Sequence, residues 1–252
     1  MITKISDWLD KQGYPLEMKV AKLFREKGFI VRHSPYYLDQ ESKIRREIDI
    51  IASVLLVKEN TGLKFTFVVE CKNTIEKPWV SFCSKQHSLH PRAFIIQKCA
   101  TKIAQKLLEE FSKKDIELNE GFIFKQPNRP AYNITQAFTS DNDKAYTAMY
   151  SAAKASWSLI KPNYDTINHN EIVIPMVVIG GKLFESFLDE SGQFNVEEVK
   201  RSTIIWNNPL VGMPNTTIFI ETFDALSDHI EVYKKEIKNF FKQCEDIFPI
   251  LY

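Results

Sequence analysis

The stretch Arg45–Lys72, RREIDIIASVLLVKENTGLKFTFVVECK, constrains the fold more than any other part of the chain. Two apolar runs, Ile48–Val57 and Leu63–Val69, flank a polar connection, Lys58–Gly62. β-Branched and aromatic residues dominate both runs, and Asn with Gly marks a turn, so a β-hairpin is expected. Three charged residues interrupt the strands: Asp49, Glu70 and Lys72. Side chains alternate along a strand, so Glu70 and Lys72 share a face. The antiparallel return can bring Asp49 beside Glu70 on that face. An ion in an apolar strand is costly without a partner or a metal. Two adjacent carboxylates repel, and a divalent cation relieves the repulsion. An ammonium two residues along can then orient water or steady charge on a phosphate. Carboxylate, carboxylate and lysine are the minimal equipment for metal-assisted phosphodiester cleavage. The bland alternative is three solvated charges at strand ends.

Asp49, followed after an apolar strand by Glu70-Cys71-Lys72, resembles the PD-(D/E)xK nuclease superfamily, the restriction-endonuclease-like fold. Ile48 stands where many members carry Pro. The resemblance covers the chain from about Gly13 to the helix near Lys113. It implies an α/β protein with a three-layer α/β/α core and a mixed central sheet. A C-terminal β-meander and a terminal helix would be added to that core. The chain is then one nuclease-like domain, with its core at about 13–125 and an elaboration at about 140–252. The implied activity is Mg²⁺-dependent hydrolysis of phosphodiester bonds, with Mn²⁺ as a substitute and DNA as the substrate by analogy. Asp49 and Glu70 would ligate the metal together with the Cys71 main-chain carbonyl. Glu17, on an early helix, would reach the same metal, and Lys72 would position the nucleophile or offset transition-state charge. A catalytically silent nucleic-acid-binding or assembly module with this fold is the alternative; the competent side chains of Glu17, Asp49, Glu70 and Lys72 weigh against it. A globular protein with no nucleic-acid role is the third reading. The partner is a nucleic acid rather than a membrane, and a homodimer is compatible with the family.

Composition sets outer limits. The chain has 252 residues and a net charge of +1, so a nucleic-acid-binding face must be local rather than global. Arg25, Lys27, Arg32, Lys43, Arg45 and Arg46 make one such basic region. No apolar run approaches the ~18 residues of a membrane span. The start, MITKISDWLDKQ, has no apolar signal segment, and Cys71, Cys83, Cys99 and Cys244 lack zinc-like or paired spacing; the expectation is a cytoplasmic protein without structural zinc. There is no Walker-type phosphate loop and no HExxH.

Periodicity places the remaining elements. Helices are expected at Ile2–Gln12 and Leu16–Lys27, the second closed by Gly28, then a strand in the segment before the hairpin. The connection after Lys72 carries Gln86, His87 and His90, which could touch DNA or pass a proton, or simply cap and solvate. One helix is expected over Ala93–Ser112, with Lys98, Lys102 and Lys106 on an exposed ridge. A short strand follows at Glu120–Lys125, and Gln126–Thr139 is the only plausible domain boundary. A helix over Asp141–Leu159 has Ser140 as its N-cap. The strand Glu171–Ile179 turns at Gly180-Gly181 into a meander through Leu188 and Val196–Trp206. Then come a strand at Thr217–Thr222 and a helix at Phe223–Phe248.

Overall fold

The hairpin is present and anchors an eleven-stranded mixed sheet. The computed structural model describes residues 1–59, 61–114, 121–139, 143–166, 169–207 and 215–248. Helices α1 (Ile2–Lys11) and α2 (Tyr14–Glu26) lead into strand β1 (Ile30–His33). A small two-stranded arm follows, β2 (Tyr36–Leu38) with β3 (Arg45–Glu47), and then the hairpin strands β4 (Ile50–Lys58) and β5 (Thr61–Lys72). Next come β6 (Trp79–Cys83), α3 (Pro91–Ile96), β7 (Cys99–Ala100), α4 (Lys102–Lys113), β8 (Ala131–Gln136) and α5 (Lys144–Ile160). The chain continues through β9 (Glu171–Ile179), β10 (Leu183–Leu188), β11 (Phe194–Val199), β12 (Arg201–Trp206), β13 (Thr216–Thr222) and α6 (Phe223–Gln243).

Strand order is β1-β4-β5-β9-β13-β12-β8-β6-β10-β11, with β7 paired to β9. β5, β9 and β13 run parallel at its centre. All nine residues of β9 are buried, as expected of a parallel strand covered on both faces. One face of β5 presents Leu63, Phe65, Phe67, Val69 and Cys71 to a core shared with α2, α4 and α6. The opposite face presents Val68, which packs with Ile51 and with Ala155 and Ile160 of α5. Small residues at Ala145, Ala148, Ala152 and Ala153 bring α5 close to the sheet. The molecule is therefore α/β with a large mixed sheet and six described helices. Among the described residues no helix is long and apolar enough to cross a membrane.

Several local expectations change. The hairpin turn is tighter than Lys58–Gly62, because Lys58 already pairs with Thr61. Glu59 takes a left-handed φ of 53° there, and Asn60 lies outside the described residues. Ala93–Ser112 is not one helix. Cys99 and Ala100 add to β9 as β7, so strand pairing interrupts the helical period between α3 and α4. Lys98 at the break is only 2% exposed, and the ridge with Lys102 and Lys106 does not exist. Residues Gly121–Phe124 form no strand. They wrap the Glu236 carboxylate, which accepts the N–H groups of Phe122, Ile123 and Phe124 at 2.7, 2.9 and 3.3 Å. Glu120 lies outside the described residues.

The proposed boundary Gln126–Thr139 contains β8, which pairs with β6 and touches β12. No meander leaves β9: β10 pairs with β6 and β11, and β9 pairs with β5 and β13. At the Gly180-Gly181 bend a Cβ on Gly181 would sit 2.4 Å from the Thr74 carbonyl oxygen, so the chain passes there only as glycine. Val196–Trp206 splits into β11 and β12, which pair with different neighbours. α5 starts at Lys144 and is capped by Asp143, whose Oδ1 accepts the N–H groups of Ala145 and Tyr146; Ser140 lies outside the described residues. α6 ends at Gln243. The apolar side of α1 is not buried, since Ile5 and Trp8 are about half exposed.

Candidate active site

The register of the hairpin builds the site. Ile50 pairs with Val69, so Asp49 and Glu70 are the next residues outward on opposed strands. Glu70 and Lys72 then alternate onto one face of β5. The Lys72 Nζ lies 2.8 Å from Glu70 Oε2 and 3.8 Å from Asp49 Oδ2, so one ammonium bridges both carboxylates. Asp49 is fixed further: its Oδ2 accepts the Cys71 N–H at 2.7 Å, and its carbonyl accepts the Ser34 N–H at 2.9 Å. The Glu70 side chain is 7% exposed, Asp49 19% and Lys72 33%, so the group opens outward through the lysine.

Burial dominates the electrostatics. It pushes the Glu70 carboxyl well above the usual carboxylate range; Lys72 pulls it back and the Asp49 charge adds to the rise. Burial works against the Lys72 ammonium, but Glu70 and Asp49 outweigh it and hold the lysine more strongly protonated than usual. Burial also raises Glu17, and the charge of Asp49 adds to that rise while Lys72 opposes it. Glu17 lies in the first turn of α2. The Gly180 N–H donates to the Lys72 carbonyl at 3.0 Å, and a Cβ on Gly180 would meet Leu16 at 3.6 Å. The start of α2 thus lies over the ends of β5 and β9, which brings Glu17 into the field of the pair. Among the described residues, however, no three Asp, Glu, His or Cys side chains converge enough to enclose an ion by themselves.

The donor set suits a hard divalent cation in its chemistry: two carboxylates whose mutual repulsion is offset by one ammonium and by the Cys71 N–H on Asp49. Mg²⁺ keeps several waters and needs only one or two carboxylates, so Asp49 and Glu70 fit such an ion, with Lys72 displaced from its bridge. Glu17 lies in the electrostatic field of Asp49 and Lys72.

Two further residues meet this site without having stood out in the sequence. Tyr37 is buried beside Ile48, Ile51 and Val68. Its hydroxyl is pushed up to about 12 by burial and by the charges of Asp39 and Glu70. The arm holds it there: Asp39, fully buried, pairs with Lys154 of α5 at 2.6 Å and with Arg46 at 3.0 Å. Glu47 adds a negative charge near Glu17. The spacing Glu47-Ile48-Asp49 was a usable signal for it, since i and i+2 share a side in extended chain.

The sequence candidates in the connection after β6 do not reach this site. His87 bonds the Ile205 carbonyl at 3.1 Å, and His90 caps α3 by accepting the Arg92 N–H. All four cysteines are buried and unbridged. Comparison with protein-family models, with curated proteins and with solved structures yields no match.

Proposed function

We propose that this chain is a divalent-metal-dependent nuclease of the restriction-endonuclease-like class, acting on DNA. The observation that carries the reading is the single ammonium of Lys72 spanning Asp49 and Glu70 on one face of adjacent strands. Two carboxylates held this close, one of them buried, repel each other, and a divalent ion would relieve that repulsion more fully than one ammonium does. Asp49 and Glu70 would hold Mg²⁺ or Mn²⁺, with the Cys71 carbonyl beside them and Glu17 steadying the water shell. When bound, the ion supplies Lewis acidity to the phosphate and lowers the pKa of adjacent water. Lys72, which lies within 4 Å of both carboxylates, would position the nucleophile or offset the charge that develops on the scissile phosphate. Asp49 keeps its geometry through the Cys71 N–H, and Tyr37 packs with Ile48, Ile51 and Val68 close by.

The reading as a silent nucleic-acid-binding module draws on the same geometry, because Glu17 does not complete a three-acid set. Nicking of supercoiled plasmid in Mg²⁺ separates the two. The nuclease reading expects cleavage by the wild type, lost in Asp49→Ala and Glu70→Ala and in chelator. Equal nicking by wild type and Asp49→Ala would assign the activity to a contaminant and remove the reading.

A further inference from the structure

The wing of the sheet beyond β8 carries a groove that the acidic site does not use. It lies between the end of β6 with its following turn, Ser84–His87, and the β10–β11 hairpin. It encloses about 1320 Å³, more than the roughly 300–1,000 Å³ of a usual small-molecule site. Its wall is aromatic. Tyr132 is 51% exposed, and its ring centroid lies 6.4 Å from that of Phe82 and 5.9 Å from that of His87, the last pair T-shaped. Across the groove Phe194 is 65% exposed. The Arg129 guanidinium carbon lies over the Phe187 ring, 3.5 Å from its centroid. The wall is also set in place, since His87 is tied to the Ile205 carbonyl and the Ser84 hydroxyl accepts the Gln86 N–H at 3.2 Å.

The charges inside are already used. Arg129 pairs with Glu197. Asp189 accepts the N–H groups of Ser191 and Gln193, both at 2.9 Å, and closes its own turn. At the rim, Lys85 and Glu190 pair at 3.0 Å with side chains 64% and 90% exposed. A pair this exposed is heavily screened by water and weakly held, so Lys85 can exchange Glu190 for a phosphate. The interior therefore offers ring faces and neutral polar groups, and the rim offers one exchangeable cation. A duplex hides its base faces and displays phosphates, which this groove hardly addresses. An unpaired strand does the reverse: its bases turn out to stack on aromatic rings while its backbone stays at the mouth.

We propose that this groove binds unpaired bases of a nucleic-acid strand, stacked on Tyr132 and Phe194, with Lys85 on the backbone and the Gln86 amide at a base edge. The choice of a nucleic acid as ligand rests on the nuclease reading, but binding can be measured without cleavage. The test uses the full chain carrying Asp49→Ala, a short fluorescein-labelled oligothymidylate and a blunt duplex of equal length, followed by fluorescence anisotropy in low salt. Adding Tyr132→Ala or Phe194→Ala should weaken oligothymidylate binding about tenfold, with duplex binding and the thermal melt unchanged. Both side chains are exposed, so neither substitution removes core packing. Equal oligothymidylate binding with and without Tyr132→Ala, or no oligothymidylate binding at all, would overturn the proposal. A wild type that cleaves nothing while Tyr132→Ala loses oligothymidylate binding would overturn the nuclease reading and leave the groove. Metal-dependent cleavage with unaltered binding by Tyr132→Ala would overturn the groove alone.

Discussion

Lys72 holds together two carboxylates that repel each other, and the same residue competes with any cation they would bind. Lys72→Ala separates these roles. The variant should bind Mn²⁺ at least as tightly as the wild type in titration calorimetry, yet cleave plasmid about a hundredfold more slowly or worse. Lys98 makes a second prediction at this scale. Its amine is buried, donates to the Phe94 carbonyl at 2.5 Å, and forms no ion pair among the described residues. Burial drives its pKa from 10.5 down to about 7, with the charge of Glu236 opposing only part of that fall. Between those values the unfolded chain binds a proton that the fold does not. Stability should therefore rise with pH from about 7 toward 10.5 and be flat below. Urea denaturation across that window should show the rise in the wild type and lose it in Lys98→Met. Asp49, Glu70 and Lys72 were legible as residues because two-residue alternation along a strand is a local rule. Tyr37 was not, because its place depends on an arm latched to a helix more than a hundred residues later, through Asp39 and Lys154.

At the scale of elements, the hairpin and the buried strand β9 follow from their apolar, β-branched runs. The segment at 93–112 misled for a physical reason. Its apolar spacing fits a helix, but Cys99 and Ala100 gain strand pairing with Val173 and Ile172 that outweighs the helical turn they would otherwise add. Gly121–Phe124 misled in a related way: an apolar GFIF run looks like a strand until a distant carboxylate claims its N–H groups. That cradle is testable. Gly121 has φ of 148°, and a Cβ there would lie 2.3 Å from Glu236 Oε1. Gly121→Ala should lower stability by roughly 1–3 kcal/mol, read as a drop in the denaturation midpoint. Glu236→Ala should cost a comparable amount by leaving buried N–H groups without an acceptor.

At the scale of the whole molecule, the two halves of the chain are interleaved rather than appended. β5, which carries Glu70 and Lys72, takes its parallel neighbour β9 from the second half, while β6 from the first half pairs with β8 and β10. The sequence marks strands but not their partners, so the expectation is one domain with a C-terminal meander extending or flanking its sheet; β9 does join β5, but β10 pairs with β6 and β11 rather than continuing from β9. A fragment ending at Thr139 lacks β9, β13 and α6, and should show no cooperative thermal transition by circular dichroism. A cooperative melt from that fragment would mean that the core stands without those partners. The claim on which the functional account turns is that Asp49 and Glu70 jointly hold one divalent ion, and its most direct test is Mn²⁺ titration followed by electron paramagnetic resonance. The free Mn²⁺ signal should fall stoichiometrically in the wild type, and binding should be at least tenfold weaker in both Asp49→Ala and Glu70→Ala. Undiminished Mn²⁺ binding in either variant would contradict that claim.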